Sequence, residues 1–166
     1  MLFLLDANVL IDANRDYYPI EDIPEFWDWI LFNAENDKVK IPIEILEELI
    51  NGNDLLAKWC KKNKKILTLD ESAEPEKVSQ CVEIAYSTNP NDIDVEKLGR
   101  DPFLLSYAIE DANSRTIVTT EISKPSKKGV NRKLPDACES LNIQCVHSFQ
   151  FFKVLQFKTN WKSSLK

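Results

Sequence analysis

The sequence predicts an α/β fold with a mainly parallel sheet. Four short apolar or β-branched runs, at 2–5, 39–41, 115–120 and 143–147, read as strands. Segments of helical period separate them, the pattern of strand and crossover helix that builds a parallel sheet. The length, 166 residues, suits one domain with one core.

The elements follow in order. Residues 2–5 form a short, fully buried strand, and 8–14 a short helix. Pro24 opens a helix, PEFWDWILFNAEN, with Phe26, Trp27, Ile30 and Leu31 on one face. Val39 to Ile41 lead as a strand into a helix from Pro42 to Ile50, and Gly52 is its stop signal. A helix over 53–63 has Asn53 as its expected cap, and another spans 75–88. NPNDIDVEKLGR (89–100) shows little periodicity and reads as a loop. DPFLLSYAIEDAN (101–113) has helix-start chemistry, Asp at the cap and Pro at the first position. RTIVTT is a strand, 121–134 a basic loop, PDACESL a short helix, IQCVH a last strand and SFQFFKVL a last helix. The domain is expected over 1–156, with a polar tail at 157–166 that frays.

Composition narrows the function. Apolar residues at 43% and charged residues at 29% suit an ordinary soluble protein. No apolar run nears the roughly 20 residues that span a membrane, and the opening MLFLLDANVLI, broken by Asp6, is no signal peptide. A cytoplasmic location is expected. Cys60, Cys81, Cys138 and Cys145 form no C-x-x-C pair and read as buried thiols. The net charge of −6 argues against a protein that coats nucleic acid, but not against one that cuts it. Two basic stretches, KWCKKNKK and KPSKKGVNRK, interrupt the acidity; the first reads as a solvated face. The three glycines stand far apart, so no phosphate-cradling Gly loop exists. One histidine, His147, leaves little room for a Ser-His-Asp device and reads as structural.

What remains is acidic. Ligands gather beyond the carboxyl ends of strands in an open parallel sheet. Asp6 ends the first strand, Glu44, Glu47 and Glu48 ride the helix after the second, Asp101 starts a helix, and Glu121 follows RTIVTT. Hard oxygen ligands without His or Cys suit Mg²⁺ or Mn²⁺. Such an ion activates water and neutralises a phosphate in flight. Each acid has a plainer reading too: Asp6 and Asp101 as helix caps, a glutamate as solvated surface. The inference rests on the joint arrangement.

That arrangement resembles the PIN domain family, which includes the VapC-type toxin ribonucleases. FLLDANVLID resembles the family's opening strand, Asp and Asn. IPIEILEELING resembles the second motif and selects Glu48; DPFLLSYAIE resembles the third and selects Asp101; TIVTTE resembles the fourth and places Thr119 and Glu121. The ordered set covers about 1–150, and YYP, FWDW and LPDACESLNI further resemble a PIN-like subgroup. Ala7 stands where the family often has Thr, Glu121 where Asp is commoner, and the insertion 122–134 is longer than usual.

The resemblance implies a three-layer α/β/α sandwich and a metal-dependent endoribonuclease, the toxin of a toxin–antitoxin pair. Asp6, Glu48, Asp101 and Glu121 would be catalytic and hold one or two Mg²⁺ or Mn²⁺ ions. Asn8 and Thr119 would support them, and Asp136 is either a fifth acid or a helix cap. Lys124, Lys127, Lys128, Arg132 and Lys133 would contact RNA phosphates, which position a strand without specifying sequence. Tyr17, Tyr18 and Trp27 read as core or loop anchors ahead of base-stacking platforms. Expected partners are RNA, an antitoxin protein and a second copy in a homodimer, but no membrane. The alternatives are an inactive PIN-like protein-binding module and an aspartyl-phosphate phosphohydrolase. The latter wants a second acid two residues after Asp6, where Asn8 stands.

Overall fold

A computed structural model describes residues 1–165; Lys166, the last residue of the expected tail, lies outside the described residues. Strands β1 (Leu2–Leu5), β2 (Val39–Lys40), β3 (Arg115–Thr119) and β4 (Gln144–His147) form an all-parallel sheet in the order β2-β1-β3-β4. The register sets Leu5 beside Val118 and Thr119 beside His147. The chain leaves β1 toward one edge and returns to β3 on its other side. The carboxyl ends of β1 and β3 therefore flank the point where strand order reverses, the crevice where open α/β sheets bind ligands.

Helices α1 (Ala7–Asp12), α2 (Pro24–Glu35), α3 (Ile43–Ile50), α4 (Leu55–Lys62), α5 (Lys64–Leu67), α6 (Pro75–Ala85), α7 (Asp92–Leu98), α8 (Asp101–Glu110), α9 (Leu134–Ser140) and α10 (Ser148–Val154) surround the sheet. Period-2 alternation sorts them into layers. Phe3 packs edge-on against Phe151 of α10, which places α10 and its partner α2 on one face. One residue further along, on the other face, Cys145 meets Cys138 of α9, which packs with α6, itself packed on α8. Helices thus cover both faces, a three-layer α/β/α sandwich.

Helix α2 buries more than one stripe. Phe26, Trp27 and Ile30 are buried as the spacing predicts, but Trp29 and Asn33 are buried too, and Leu31 only half. The reason is a second partner: Trp29 also meets Phe157, beyond α10. Each large side chain so buried contributes roughly 1.5–3 kcal/mol. Tyr18 stacks on Phe26, and Trp27 donates its indole N–H to Tyr18 O at 2.7 Å, so Trp27 is core and the half-buried Tyr18 packs against it. Tyr17 stays exposed.

The expected fraying of 157–166 is corrected over the described residues. Trp161 is buried against Phe32 and donates its indole N–H to Glu25 O at 3.0 Å. The expected loop 89–100 contains α7, held by a capping box between Asn91 and Asp94. Ile93 and Val95 of α7 are exposed, which is why no apolar period announced it. Asp54, not Asn53, caps α4, accepting from Ala57 N at 2.8 Å. Three cysteines are buried and Cys145 half-buried. Among the described residues, no helix is long and apolar enough to cross a membrane.

Candidate active site at the carboxyl edge of the sheet

Asp6 follows β1 at the N-cap position of α1, yet its side chain makes no capping hydrogen bond. It turns sideways instead. Thr119 Oγ1, on the neighbouring strand, donates to Asp6 Oδ2 at 2.7 Å, and Asn8 Nδ2 approaches the same oxygen at 3.4 Å. Thr119 Oγ1 also accepts from Glu121 N at 3.1 Å, which ties the β3 terminus to Asp6. The expected supporting roles of Asn8 and Thr119 have this geometry. Burial holds the Asp6 carboxyl above its ordinary value, against the Thr119 and Asn8 hydrogen bonds, and Glu121 adds to the rise.

Asp101 is the second residue the plain reading misplaced. Arg100, not Asp101, occupies the N-cap of α8, and no side chain caps that helix. The half-buried Asp101 carboxyl faces the other acids. Desolvation first, then the charges of Asp6, Glu121 and Glu48, raise its pKa to about 7, with Lys133 opposing. Glu48, exposed on α3, is raised by partial burial and by Asp6, while Arg100 opposes. Glu47 is exposed, and Glu44, in the first turn of α3, meets α8 away from the cluster, where Tyr107 Oη approaches its Oε1 at 3.4 Å. Of the three glutamates on α3, Glu48 is the one coupled to Asp6.

Glu121 closes the group. Its Oε2 accepts from Leu134 N at 2.8 Å, and Lys133 Nζ pairs with its Oε1. Asp136 lies apart. It accepts from Ser123 Oγ at 2.5 Å and Lys124 N at 2.8 Å, which pins the start of the basic loop to α9. Burial alone would raise its pKa, but these bonds, with Arg132 and Lys128, hold it below the ordinary value. It is neither a fifth acid of the cluster nor the cap of α9, whose N-cap is Lys133. Arg132 is likewise structural: Nη1 donates to Ala85 O at 2.9 Å and to Ser140 Oγ at 2.6 Å. His147 is structural too, its Nδ1 accepting from Phe149 N at 3.3 Å. Lys124, Lys127 and Lys128 are exposed.

A cavity of about 290 Å³ opens beside the acids, with Asp101 and Glu121 on one wall, Lys97, Lys127 and Lys133 around it, and Tyr86 beneath. Tyr86 is a site residue the sequence did not reveal. It sits just past α6, and nothing in that helix's polarity marks it. Its hydroxyl is buried against the Asp101 carboxyl, and burial first, then the charge of Asp101, raises its pKa strongly.

The donor chemistry fits a hard divalent cation. The group holds carboxylate oxygens only, and their mutual repulsion is the kind a bound cation relieves. Among the described residues no three such groups stand close enough to share one ion; holding one would take side-chain rotation.

The chain belongs to the DUF4411 family, described as a domain of unknown function, whose family model matches residues 3–159. No curated protein matches it.

Proposed function

We propose that the chain is a Mg²⁺- or Mn²⁺-dependent endoribonuclease that hydrolyses RNA phosphodiester bonds. The observation that carries this reading is the convergence of Asp6, Glu48, Asp101 and Glu121 where the strand order reverses, with Asp101 raised to about 7 by burial and by its acidic neighbours. Asp6, Glu48 and Asp101 would hold the ion, which supplies an activated water and neutralises charge on the phosphate. Thr119 and Asn8 orient Asp6 by hydrogen bonds to Oδ2. Lys124, Lys127 and Lys128, all exposed, would meet flanking phosphates. The role of toxin in a toxin–antitoxin pair, an antitoxin partner, a homodimer and a cytoplasmic location are supported by the motif resemblance and by composition.

The test is cleavage of single-stranded RNA under Mn²⁺ titration, with Asp6→Asn alongside. Cleavage by wild type and none by a folded variant is the expected result. Equal activity in both removes the assignment.

A further inference from the structure

We propose that Lys133 takes the place of a second divalent ion: the site holds one ion per chain, and the Lys133 ammonium, gripped by Glu121, meets the scissile phosphate. This rests on the nuclease reading above.

Two-metal sites use the second ion to stabilise charge on the oxygens around phosphorus. A second ion here would draw on Glu121, and both oxygens of Glu121 already have partners on the protein. One carboxylate oxygen pairs with Lys133 Nζ and the other accepts from Leu134 N at 2.8 Å. Both partners come from adjacent residues, the N-cap and first residue of α9. The Leu134 N–H fixes the Glu121 carboxylate, and that carboxylate holds the ammonium by a charge-assisted hydrogen bond.

The segment around Lys133 is itself fixed. Arg132 is anchored to Ala85 O and Ser140 Oγ, and the start of the loop is anchored at Asp136. Yet the Lys133 side chain stays 40% exposed and lines the cavity beside Asp101, Glu121 and Tyr86. It is built in on the protein side and open on the ligand side. Its charge also reaches Asp101, opposing the rise in that carboxyl's pKa.

In the reaction, water oxygen forms a new bond to phosphorus and the bridging P–O bond to the departing ribose oxygen breaks. The water's proton passes to that departing oxygen. The non-bridging oxygens gain negative charge meanwhile, and the Lys133 ammonium donates to one of them.

Calorimetric titration of the full chain with Mn²⁺ should give one ion per chain. Lys133→Met should lower kcat on single-stranded RNA by roughly 10²–10³-fold, the usual loss for one donor aimed at developing charge. KM should stay within about threefold, and Lys133→Arg should recover part of the rate. Two ions bound per wild-type chain would overturn the lysine's role and leave the nuclease standing, as would Lys133→Met cleaving within threefold of wild type. A wild type that neither binds Mn²⁺ nor cleaves would overturn both. The wild-type stoichiometry decides the matter even if Lys133→Met fails to fold.

Discussion

Helix α8 has a cavity at each end, and the acids at the two ends are held by different rules. At its C-terminal end a cavity of about 420 Å³ is lined by Glu71, Glu74, Glu110, Ser106, Tyr107 and Arg115. There the acids have cations. Arg115 forks onto Glu71 at 2.6 and 2.9 Å, and Lys77 pairs with Glu110 and, at 3.4 Å, with Glu74. At the N-terminal end, among the described residues, only Glu121 of the four acids Asp6, Glu48, Asp101 and Glu121 is in an ion pair, with Lys133. Lys97 and Lys127 line the cavity, and Arg100 opposes the rise at Glu48. The comparison teaches that carboxylate number does not define a site. Unbalanced carboxylates do, because their repulsion and burial remain to be relieved by something the chain does not supply.

The contrast can be broken by mutation. The largest expected effect is at Asp6. Asp6→Asn should abolish RNA cleavage with an unchanged circular dichroism spectrum. Glu71→Gln, at the other end, should keep cleavage within about threefold and lose stability, roughly 1–3 kcal/mol, because the mostly buried Arg115 loses its fork. Cleavage lost in the Glu71 variant would erase the distinction.

Next comes the choice among glutamates on α3. Glu48→Gln should lose most activity and Glu47→Gln should keep it, since only Glu48 is coupled to Asp6. A steady-state assay of both variants reveals the reverse if the helix is read in the wrong register.

Stability sharpens the same comparison. The Asp101 carboxyl has a folded pKa of about 7, against an unfolded value of about 3.9. Its ionised form is the costly one in the folded state. The penalty is complete above pH 7 and disappears as pH falls toward 4. Metal-free wild type should therefore gain on the order of 2 kcal/mol between pH 7 and pH 5. Asp101→Asn should flatten that gradient and melt no lower at pH 7. Mn²⁺ at about 100 times its Kd should stabilise wild type by roughly 2.7 kcal/mol and the variant far less. Thermal melts in chelator and in Mn²⁺ measure both. A wild-type melting temperature indifferent to millimolar Mn²⁺ would return the N-terminal cavity to the rule of its opposite.

The smallest effect concerns the loop. Replacing Lys124, Lys127 and Lys128 with Ala should flatten the salt dependence of RNA binding by roughly 0.7 in slope per lost phosphate contact. Filter binding across salt concentrations reads it, and an unchanged slope makes the three lysines solvated surface. Arg132 is left out because it anchors the loop to Ala85 and Ser140, and Lys133 because it is proposed to act at the scissile phosphate itself.

Much of the fold was legible because its causes are local. Strands β1 and β3 are short apolar runs, α2 and α8 begin at Pro, and α3 repeats its apolar residues at helical spacing. Helix α7 was missed because only Leu98 of its seven residues is buried, so the period that marks a helix was missing while its capping box was present. The cap reading of Asp101 failed because a cap is a local option: Arg100 takes that position and the Asp101 carboxyl points to acids distant in sequence. Asp6, by contrast, keeps the N-cap position of α1 and turns its side chain to Thr119.

The sequence by itself determined the kind of protein this is: a parallel α/β domain carrying acids at the ends of its strands and at the start of α8. It also singled out Asp6 and Glu121, because an acid ending a buried strand is visible as a break in hydrophobicity, while Thr119 was singled out by the motif resemblance alone. Tertiary structure decided the rest. It paired Lys133 with Glu121, put the Tyr86 hydroxyl beneath Asp101, and sent Asp136 and Arg132 to anchor the loop. Those outcomes depend on which segments the order β2-β1-β3-β4 brings together. The physical reason is range: hydrophobic period and capping act over a few residues, whereas a charge acts on whatever the fold places beside it, however far along the chain.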